Sequence, residues 1–251
     1  LFPYTTLFRS MLIKIALRNI FRNRRRTAIT LLAISIGIMG LNLFAGYVES
    51  ISQGLAGQAV IGERLGHLTL AKPGYFSEGK IDPERYLFSA ADLEQVRDIL
   101  SGYEKVTLVS PRIDLSGLIT DGRVSTIYYA EGIRYRDLQA LRGEEYADLP
   151  GQLMIDNTAA VAMGDELAAN LGLKEGDIAV LTSATAANAM NALDVYVHDV
   201  YNTGSAGTND KFVLMTLEHA QRLYDTDGVH RVVLLLQDRP MTDTARAELA
   251  T

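Results

Sequence analysis

The chain has 251 residues, of which 48% are hydrophobic, with a formal net charge of −6 and no cysteine. The lack of cysteine excludes a disulfide framework and a lipid-modified N-terminal cysteine, so any domain outside the cytoplasm must depend on its apolar core. Seven of the 24 basic residues precede Thr27, so the residues that follow carry 17 basic and 30 acidic side chains, a net charge of −13. This acidic balance argues against a nucleic-acid-binding protein.

The two ends of the sequence are interpreted separately from the fold. Residues 1–10, LFPYTTLFRS, resemble the translation of a sequencing-library adapter, which makes Met11 the expected natural start. Residues 247–251, AELAT, follow a helical pattern without a capping residue. We therefore expect the sequence to be part of a longer protein.

Residues 11–26 predict a basic amphipathic helix on the cytoplasmic membrane surface. Apolar side chains share one side of this helix and basic side chains recur at i, i+4 spacing on the other, which is typical of interfacial helices. The alternative interpretation is that start-transfer sequences in general collect basic and apolar residues. The predicted membrane-interface residues are Lys14, Arg18, Arg22, Arg24, Arg25 and Arg26.

Residues 27–48 contain no charged side chain and predict a transmembrane helix. At about 1.5 Å per residue the segment is roughly 33 Å long, enough to cross a hydrocarbon core of about 30 Å. Residues 11–26 carry six basic and no acidic side chains, so the positive-inside rule places the N-terminus in the cytoplasm and the main domain outside. A signal peptide cut near Ala56 or Ala59 is the alternative, although its apolar stretch is usually about 7 to 15 residues.

Small residues in the predicted span indicate a surface for helix pairing. Ala33 and Gly37 are four residues apart, and Gly40 and Asn42 follow. Small residues at this spacing allow two helices to approach closely, and an asparagine forms hydrogen bonds across such interfaces, but the spacing also arises by chance. Ala33, Gly37, Gly40 and Asn42 are the predicted packing residues.

The region after the span is long enough for one or two domains and alternates between helical and strand patterns. Ser89 is the expected N-cap of a helix, and Asp121 with Gly122 forms the expected turn of a hairpin. The elements predicted up to residue 133 are helices over 49–62 and 90–100 and strands over 67–71, 106–110, 116–120 and 124–133.

A second block begins near Arg134. Gly164 and Asp165 open a predicted helix that ends at Gly172, and Thr216 is the expected N-cap of a later helix that Gly228 breaks. Residues 183–191 are rich in Ala, Asn and Met and predict a loop. The other predicted elements are a helix over 217–224 and strands over 178–182, 195–201, 212–215 and 229–236, the last in the middle of a sheet.

No pattern of catalytic residues is evident. The four histidines show no HExxH spacing, no nucleophile elbow surrounds Ser205 near His198 and Asp210, and no GxxxxGK[ST] phosphate loop occurs. The candidate carboxylates for a glycosidase pair mostly lie beside glycines or at expected turns, where they cap and solubilise. These carboxylates are Asp114, Asp121, Asp156 and Asp177. We therefore predict a non-catalytic protein without a metal or cofactor site of its own.

Three segments together resemble a known family. They are ALRNIFRNRRRTAITLLAISIGI, AVAMGDELAANLGLKEGDIAVLTS and VYVHDVYNTGSAGTNDKFVLMTLEHAQRLYDTDGVHRVVLLLQD. Each is weak alone, but their order and spacing resemble the N-terminal half of an ABC transporter permease of the MacB and lipoprotein-releasing, FtsX-like type. The similarity extends from Met11 to about Arg239.

The resemblance implies an α+β fold in which a transmembrane helix in the bacterial inner membrane precedes a periplasmic mixed α/β domain over residues 49–251. It also implies a porter-like part over residues 65–133 and 208–239, interrupted by an inserted subdomain over 134–207. Three further spans would follow Thr251.

The implied activity is that of a permease subunit that couples ATP hydrolysis on a partner to periplasmic movement. Its partners would be a cytoplasmic ABC ATPase that binds ATP and Mg, a second permease subunit that is identical or paralogous, membrane lipid, and a periplasmic substrate or protein. Lipoprotein release or substrate export would be the outcome. The alternatives are a single-pass extracytoplasmic sensor or scaffold, and an FtsX-like regulator of cell-wall hydrolases that transports nothing.

Overall fold

The computed structural model describes residues 15, 18, 21–79, 82–103, 105–144, 147–237, 242 and 246. The chain divides into two compact units, residues 1–56 and residues 57–251. Within the first unit and extending just beyond it, Arg24–Gly57 forms a helix of 34 residues, α1, none of which is buried. Among the described residues, Arg24–Gly62 is the one helical stretch that is long and apolar enough to cross a membrane.

The second unit begins with a short connector, residues 57–67. A π-helical turn over Gln58–Gly62 directly follows α1, and Leu65 N donates a hydrogen bond to Ala59 O at 3.1 Å. The predicted helical continuation of the apolar segment is confirmed. Gly66 has a positive φ of 64°, and a side chain there would meet Leu234 O at 2.8 Å. The chain can therefore enter the sheet at this point only because residue 66 has no Cβ.

One eight-stranded sheet organises the second unit, with strand order β1-β8-β2-β3-β7-β4-β6-β5. Most neighbours are antiparallel, but β3 runs parallel to β7 and β4 runs parallel to β6. The strands are β1 Leu68–Ala71, β2 Val106–Thr120, β3 Ser125–Ile133, β4 Ala160–Gly164, β5 Ile178–Ala184, β6 Met190–Tyr201, β7 Phe212–Thr216 and β8 Arg231–Leu236.

The long strand β2 closes part of the sheet into a ring. Its first half pairs with β8, and its last four residues pair with β5 along the same side, from Gly117 opposite Ser183 to Thr120 opposite Val180. A Cβ at Gly117 would collide with the carbonyl of Thr182. Glycine at this position therefore permits the closure of a six-stranded barrel made of β2, β3, β7, β4, β6 and β5.

The helices flank this sheet. Their bounds are α2 Tyr75–Glu78, α3 Ala90–Ser101, α4 Tyr135–Arg142, α5 Asp165–Leu171 and α6 Leu217–Tyr224, with a 3-10 turn at Glu84–Tyr86. Two predicted caps are present, because Ser89 forms a capping box with Asp92 and the Thr216 side chain accepts a hydrogen bond from His219 N. These contacts explain why α3 and α6 begin where the sequence predicts.

Two apolar clusters stabilise the unit. The larger one is contributed by alternate residues of the barrel strands, such as Ile113, Met163 and Leu181, together with apolar residues of α3, α5 and α6. A smaller cluster lies on the opposite face of β3 and β7 and includes Ile133, Leu138 and Leu214. The predicted α+β class with a core independent of disulfides agrees with this architecture.

Several predicted elements need correction. Residues 106–110 and 116–120 are not separate strands, because β2 runs through Pro111 without a break. Arg112 O accepts a hydrogen bond from His230 N, so the backbone groups of Arg112 face the side of β8. The nitrogen of the preceding Pro111 therefore faces the opposite side, where pairing with β3 starts only at Arg112. The missing N–H of Pro111 therefore costs no ladder hydrogen bond.

The expected loop over residues 183–191 is confirmed only at its centre, residues 185–189, because its two ends belong to strands. β5 extends to Ala184 and β6 begins at Met190, with Ala184 paired to Met190. The polar composition of this segment is accommodated by a tight hairpin in which Thr185 Oγ1 accepts a hydrogen bond from Ala189 N. Helix α6 ends at Tyr224, as predicted, and its C-cap Asp225 has a positive φ of 55°, so the helix has already ended before Gly228. Strand β8 lies second from the edge of the sheet, beside β1.

The predicted division of the main domain at residues 134 and 207 stays a prediction. β4, β5 and β6 come from the predicted insert, and β3 and β7 come from the predicted porter-like part. β4 is hydrogen-bonded to β7, so both segments share one sheet.

Candidate functional site

Four charged residues of β2, β3 and β8 lie on the same face of the sheet. Asp114 on β2 is directly opposite Glu131 on β3, and Arg112 on β2 is directly opposite Arg231 on β8. Like charges therefore face each other across both strand pairs, which is unfavourable unless diagonal neighbours compensate.

Arg231 supplies this compensation. Its Nε donates to Asp114 Oδ2 at 2.8 Å, and its Nη2 donates to Asp114 Oδ1 at 2.9 Å. The same Nη2 lies 3.2 Å from Glu131 Oε1, and the Tyr129 hydroxyl also donates to Asp114 Oδ1 at 2.9 Å. A bidentate pair of this kind fixes the guanidinium in one orientation.

Glu131 is the centre of the cluster and is 3% exposed. Its Oε2 accepts a hydrogen bond from Arg64 Nε at 2.8 Å, while its Oε1 lies 3.2 Å from Arg231 Nη2 and 3.7 Å from Arg112 Nε. One carboxylate is thus shared by three guanidinium groups, two from the sheet and one from the connector.

Arg64 reaches the cluster from an unusual backbone conformation. Its φ is 58°, in the left-handed region that non-glycine residues seldom adopt. The side chain donates through Nη1 to Gly62 O at 3.0 Å, and its Cζ lies 4.8 Å from the centre of the Phe212 ring. These contacts and the pair with Glu131 hold the connector against β3 and β7.

Arg112 is fully buried but poorly partnered. None of its three guanidinium nitrogens donates a hydrogen bond within the described part of the chain. Burial lowers the pKa of Arg112 to about 10, since the charge of Glu131 opposes this shift only in part, so the side chain remains a cation at neutral pH. The Asp137 carboxylate is also near, but it accepts a hydrogen bond from Ser110 Oγ at 2.7 Å.

The other charges are stabilised by their partners. Burial alone would raise the pKa of Asp114, but the hydrogen bonds and charge of Arg231 hold it below its usual value. Burial alone would lower the pKa of Arg64 and of Arg231, but Glu131 raises the former and Asp114 raises the latter. Asp114, Arg64 and Arg231 therefore stay ionised across the neutral range.

A cavity of about 240 Å³ adjoins this cluster. The connector forms one wall, the strands form a second, and the loop between β6 and β7 forms a third. The lining residues are Gly62, Glu63, Arg64, Leu65, Tyr129, Glu131, Thr203, Ser205, Thr208, Phe212 and Arg231. The cavity is smaller than a typical pocket for drug-sized ligands, which begins near about 300 Å³.

The loop wall is held by its own hydrogen bonds. Asn209, which is 2% exposed, donates to the Asp165 carboxylate and accepts a hydrogen bond from Thr203 N at 3.1 Å. The hydroxyl groups of Thr203 and Thr208 lie 3.0 Å apart. Ser205 therefore belongs to a structured turn, and no hydrogen bond joins it to His198 in the described residues.

The predicted membrane-interface residues lie at and before the start of α1. Arg22, Arg24, Arg25 and Arg26 are exposed helical residues, and Arg18 is also helical, whereas Lys14 lies outside the described residues. Their role at a membrane stays a prediction.

The predicted packing residues all lie on α1 and are exposed. No atom would touch a Cβ added at Gly37 or Gly40, and the Asn42 side-chain amide donates to Ile38 O at 2.9 Å within the same helix. The remaining donor and acceptor capacity of Asn42 is available to a neighbour. Pairing through Ala33, Gly37, Gly40 and Asn42 stays a prediction.

The charged cluster was missed by sequence reasoning, which placed Asp114 at a turn. Asp114 lies in the middle of β2 and is paired with Arg231, so that interpretation is wrong. Asp121 and Asp177 do occupy turns, since their carboxylates accept hydrogen bonds from Val124 N at 2.7 Å and Lys174 N at 2.8 Å. The sequence feature that indicates the cluster is a pair of charged residues two positions apart in an otherwise apolar strand, Arg112 and Asp114 in the segment PRIDL.

Comparison with known protein families gives one match. The model of the MacB-like periplasmic core domain matches residues 27–251. The extracellular domain of the noncanonic ABC-type transporter YknZ from Gram-positive bacteria is 14% identical, covering 66% of this chain and 81% of that chain with a TM-score of 0.43. The periplasmic region of MacB from Actinobacillus actinomycetemcomitans is 12% identical, covering 62% and 72% with a TM-score of 0.41. No curated protein sequence matches.

Proposed function

Since the chain belongs to the MacB-like periplasmic core domain family, we propose that it is a permease subunit of an ABC transporter. In this role it converts ATP hydrolysis on a cytoplasmic partner into movement of its domain outside the membrane. The match over residues 27–251 carries the proposal, because it includes both the apolar segment and the sheet domain.

The proposed location is the bacterial inner membrane, with the N-terminus in the cytoplasm and residues 49–251 in the periplasm. The basic residues that cluster before Thr27 support this orientation. Positive charge next to a span is retained on the cytoplasmic side, and a long domain after the span is translocated largely regardless of its charge.

The proposed partners are an ABC ATPase, a second permease subunit, and an export substrate or lipoprotein in the periplasm. ATP and Mg would bind to the ATPase, since this sequence contains no GxxxxGK[ST] phosphate loop. Within the described residues, no group of three potential metal ligands occurs. The proposed contribution of this chain is mechanical, through a barrel with a packed core that a short connector links to the apolar helix in the sequence.

The orientation can be tested by labelling, because the chain has no cysteine. Glu94 is exposed on α3 and Asn23 is exposed at the start of the apolar helix. In intact spheroplasts, a membrane-impermeant maleimide should label Glu94→Cys and leave Asn23→Cys unlabelled until the cells are lysed. The opposite pattern would disprove the proposed topology.

The coupling can be tested on the complete gene. The proposal predicts three more apolar segments after Thr251 and an ATPase gene nearby. After reconstitution with that ATPase, replacement of Arg24, Arg25 and Arg26 by Gln should reduce permease-stimulated ATP hydrolysis, because the basic segment anchors the span at the membrane surface. Unchanged stimulation in a correctly inserted variant would contradict this anchoring role.

The two alternative functions give different results in the same experiments. A single-pass sensor or scaffold would lack the further apolar segments and would not stimulate the ATPase. An FtsX-like regulator would stimulate ATP hydrolysis and activate a cell-wall hydrolase, but it would release no substrate or lipoprotein.

A further inference from the structure

We propose that the ion pair between Arg64 and Glu131 is a releasable latch. When Arg64 moves away, Glu131 pairs with Arg112 instead, so the connector detaches while the sheet stays folded. This inference concerns the domain itself and does not depend on the transport role. It follows from how Glu131 distributes its two oxygens among three arginines.

The first observation is that Arg64 and the sheet arginines use different oxygens of Glu131. Arg64 bonds to Oε2 at 2.8 Å, while Arg231 and Arg112 lie 3.2 Å and 3.7 Å from Oε1. Loss of one partner from a buried ion pair is strongly destabilising when the other charge is left alone. Glu131 would not be left alone, because two cations of the sheet remain beside it.

The second observation is that Arg112 has unused donors. It is fully buried, and none of its guanidinium nitrogens has a hydrogen-bond partner among the described residues. Arg231 is already engaged by both oxygens of Asp114. A small rotation of the Glu131 carboxylate would bring an oxygen within hydrogen-bond distance of Arg112, which gains a bond that it lacks in the latched state.

The third observation concerns the connector. Arg64 holds a left-handed backbone conformation, with a φ of 58°, that is relieved on release. Beyond it, His67 is fixed to β8 at two points, since His67 N donates to Leu234 O at 2.9 Å and Leu236 N donates to His67 Nδ1 at 2.9 Å. Movement of the connector would therefore stop at His67, with Gly66 as the pivot.

The fourth observation is that there is room for the movement. The cavity of about 240 Å³ adjoins Arg64 on the side of the β6–β7 loop. The surrounding hydroxyl groups of Thr203, Ser205 and Thr208 offer polar surroundings to a displaced guanidinium. Release therefore exchanges one set of polar contacts for another and does not bury a bare charge.

Hydrogen exchange on the full chain in detergent micelles tests the latch. In Arg64→Gln, the amides of residues 59–66 should exchange at least about tenfold faster, while those of β2, β3 and β8 keep their protection. Arg112→Met alone should leave exchange in residues 59–66 unchanged or slower. The double variant should lose protection in β2 and β3 as well, because only Arg231 would remain to pair with Glu131.

Three results would overturn the proposal. They are faster exchange in β2 and β3 of Arg64→Gln that equals the change in the connector, unchanged exchange in the connector of Arg64→Gln, and equal exchange in the double variant and in Arg64→Gln. If a variant at Arg112 fails to fold, melting temperatures decide the question. Glu131→Gln removes the carboxylate that Arg64 and Arg112 share, so its drop in melting temperature should be several-fold larger than the drop caused by Arg64→Gln. Equal drops would contradict a releasable role.

Discussion

The Nδ1 atom of His230 accepts a hydrogen bond from the backbone N–H of Asp114 at 3.0 Å. A protonated imidazole has no lone pair to accept this bond, so the contact requires the neutral form. Burial lowers the pKa of His230 to about 4, and burial together with the charge of Arg222 lowers the pKa of His219 to about 4. The folded protein therefore contains two histidines that resist protonation.

We expect stability to fall as the pH drops from about 6.5 to about 4. In that window the unfolded chain binds a proton at each of these histidines while the folded chain does not, so the free energy of unfolding decreases with acidification. Melting temperatures at pH 7.5 and 5.5 should differ clearly in the wild type. His230→Asn and His219→Gln should each reduce that difference, and the double variant should reduce it most. An unchanged pH dependence in the double variant would show that other groups control it.

Replacement of Gly66 by Ala should destabilise the second unit more than the same change at Gly172. Both residues have φ near 65°, which costs an alanine about 1 to 2 kcal/mol. Only Gly66 is crowded, because a Cβ there meets Val233 and Leu234 O, which adds about 1 to 3 kcal/mol of packing strain. Urea denaturation of the two variants measures the difference, and equal losses would mean that the connector is free to shift.

Thr216 stabilises α6 through two hydrogen bonds made by one hydroxyl. It accepts from His219 N at 3.3 Å and donates to Thr158 O at 2.8 Å. Thr216→Ala should cost about 2 kcal/mol, half from the lost helix cap and half from the unpaired carbonyl. Thr216→Ser keeps the hydroxyl and should cost less than about 1 kcal/mol. Chemical denaturation of both variants tests this, and similar costs would assign the effect to packing of the methyl group.

Gly37→Leu should weaken self-association of the apolar helix. The added side chain would keep two helices apart on the face that carries Ala33, Gly37 and Gly40, because close approach depends on small residues. A two-hybrid assay for transmembrane helices, with α1 as the tested segment, measures the effect. Ile36→Leu is the matched control on a neighbouring position and should associate as the wild type does. Equal association of both variants would place the contact elsewhere.

The features that the sequence predicts well are those that depend on neighbouring residues. Ser89 and Asp92 are three residues apart and bond to each other, so their capping box is visible in the sequence. The same is true of the hairpin turn at Asp121 and Gly122. Local hydrogen bonds of this kind need no knowledge of the rest of the chain.

The features that escape prediction depend on pairing between distant strands. The contact between Asp114 and Arg231 joins residues 117 positions apart, so only the strand register brings them together. β4 was missed because AVAMG is a buried run of five residues with no period, which is too short to distinguish helix from strand. α4 was missed because its N-cap, Arg134, provides no side-chain hydrogen bond.

The closed ring of six strands lowers the tendency of the domain to aggregate. Strands that pair on both sides have no free backbone groups with which to recruit another chain. Among the described strands, β1 alone has a fully open side, and it is four residues long and followed by Lys72 and Pro73. Such an edge is a poor template for fibril growth, so the domain should tolerate long residence at high concentration in a compartment without ATP-driven chaperones.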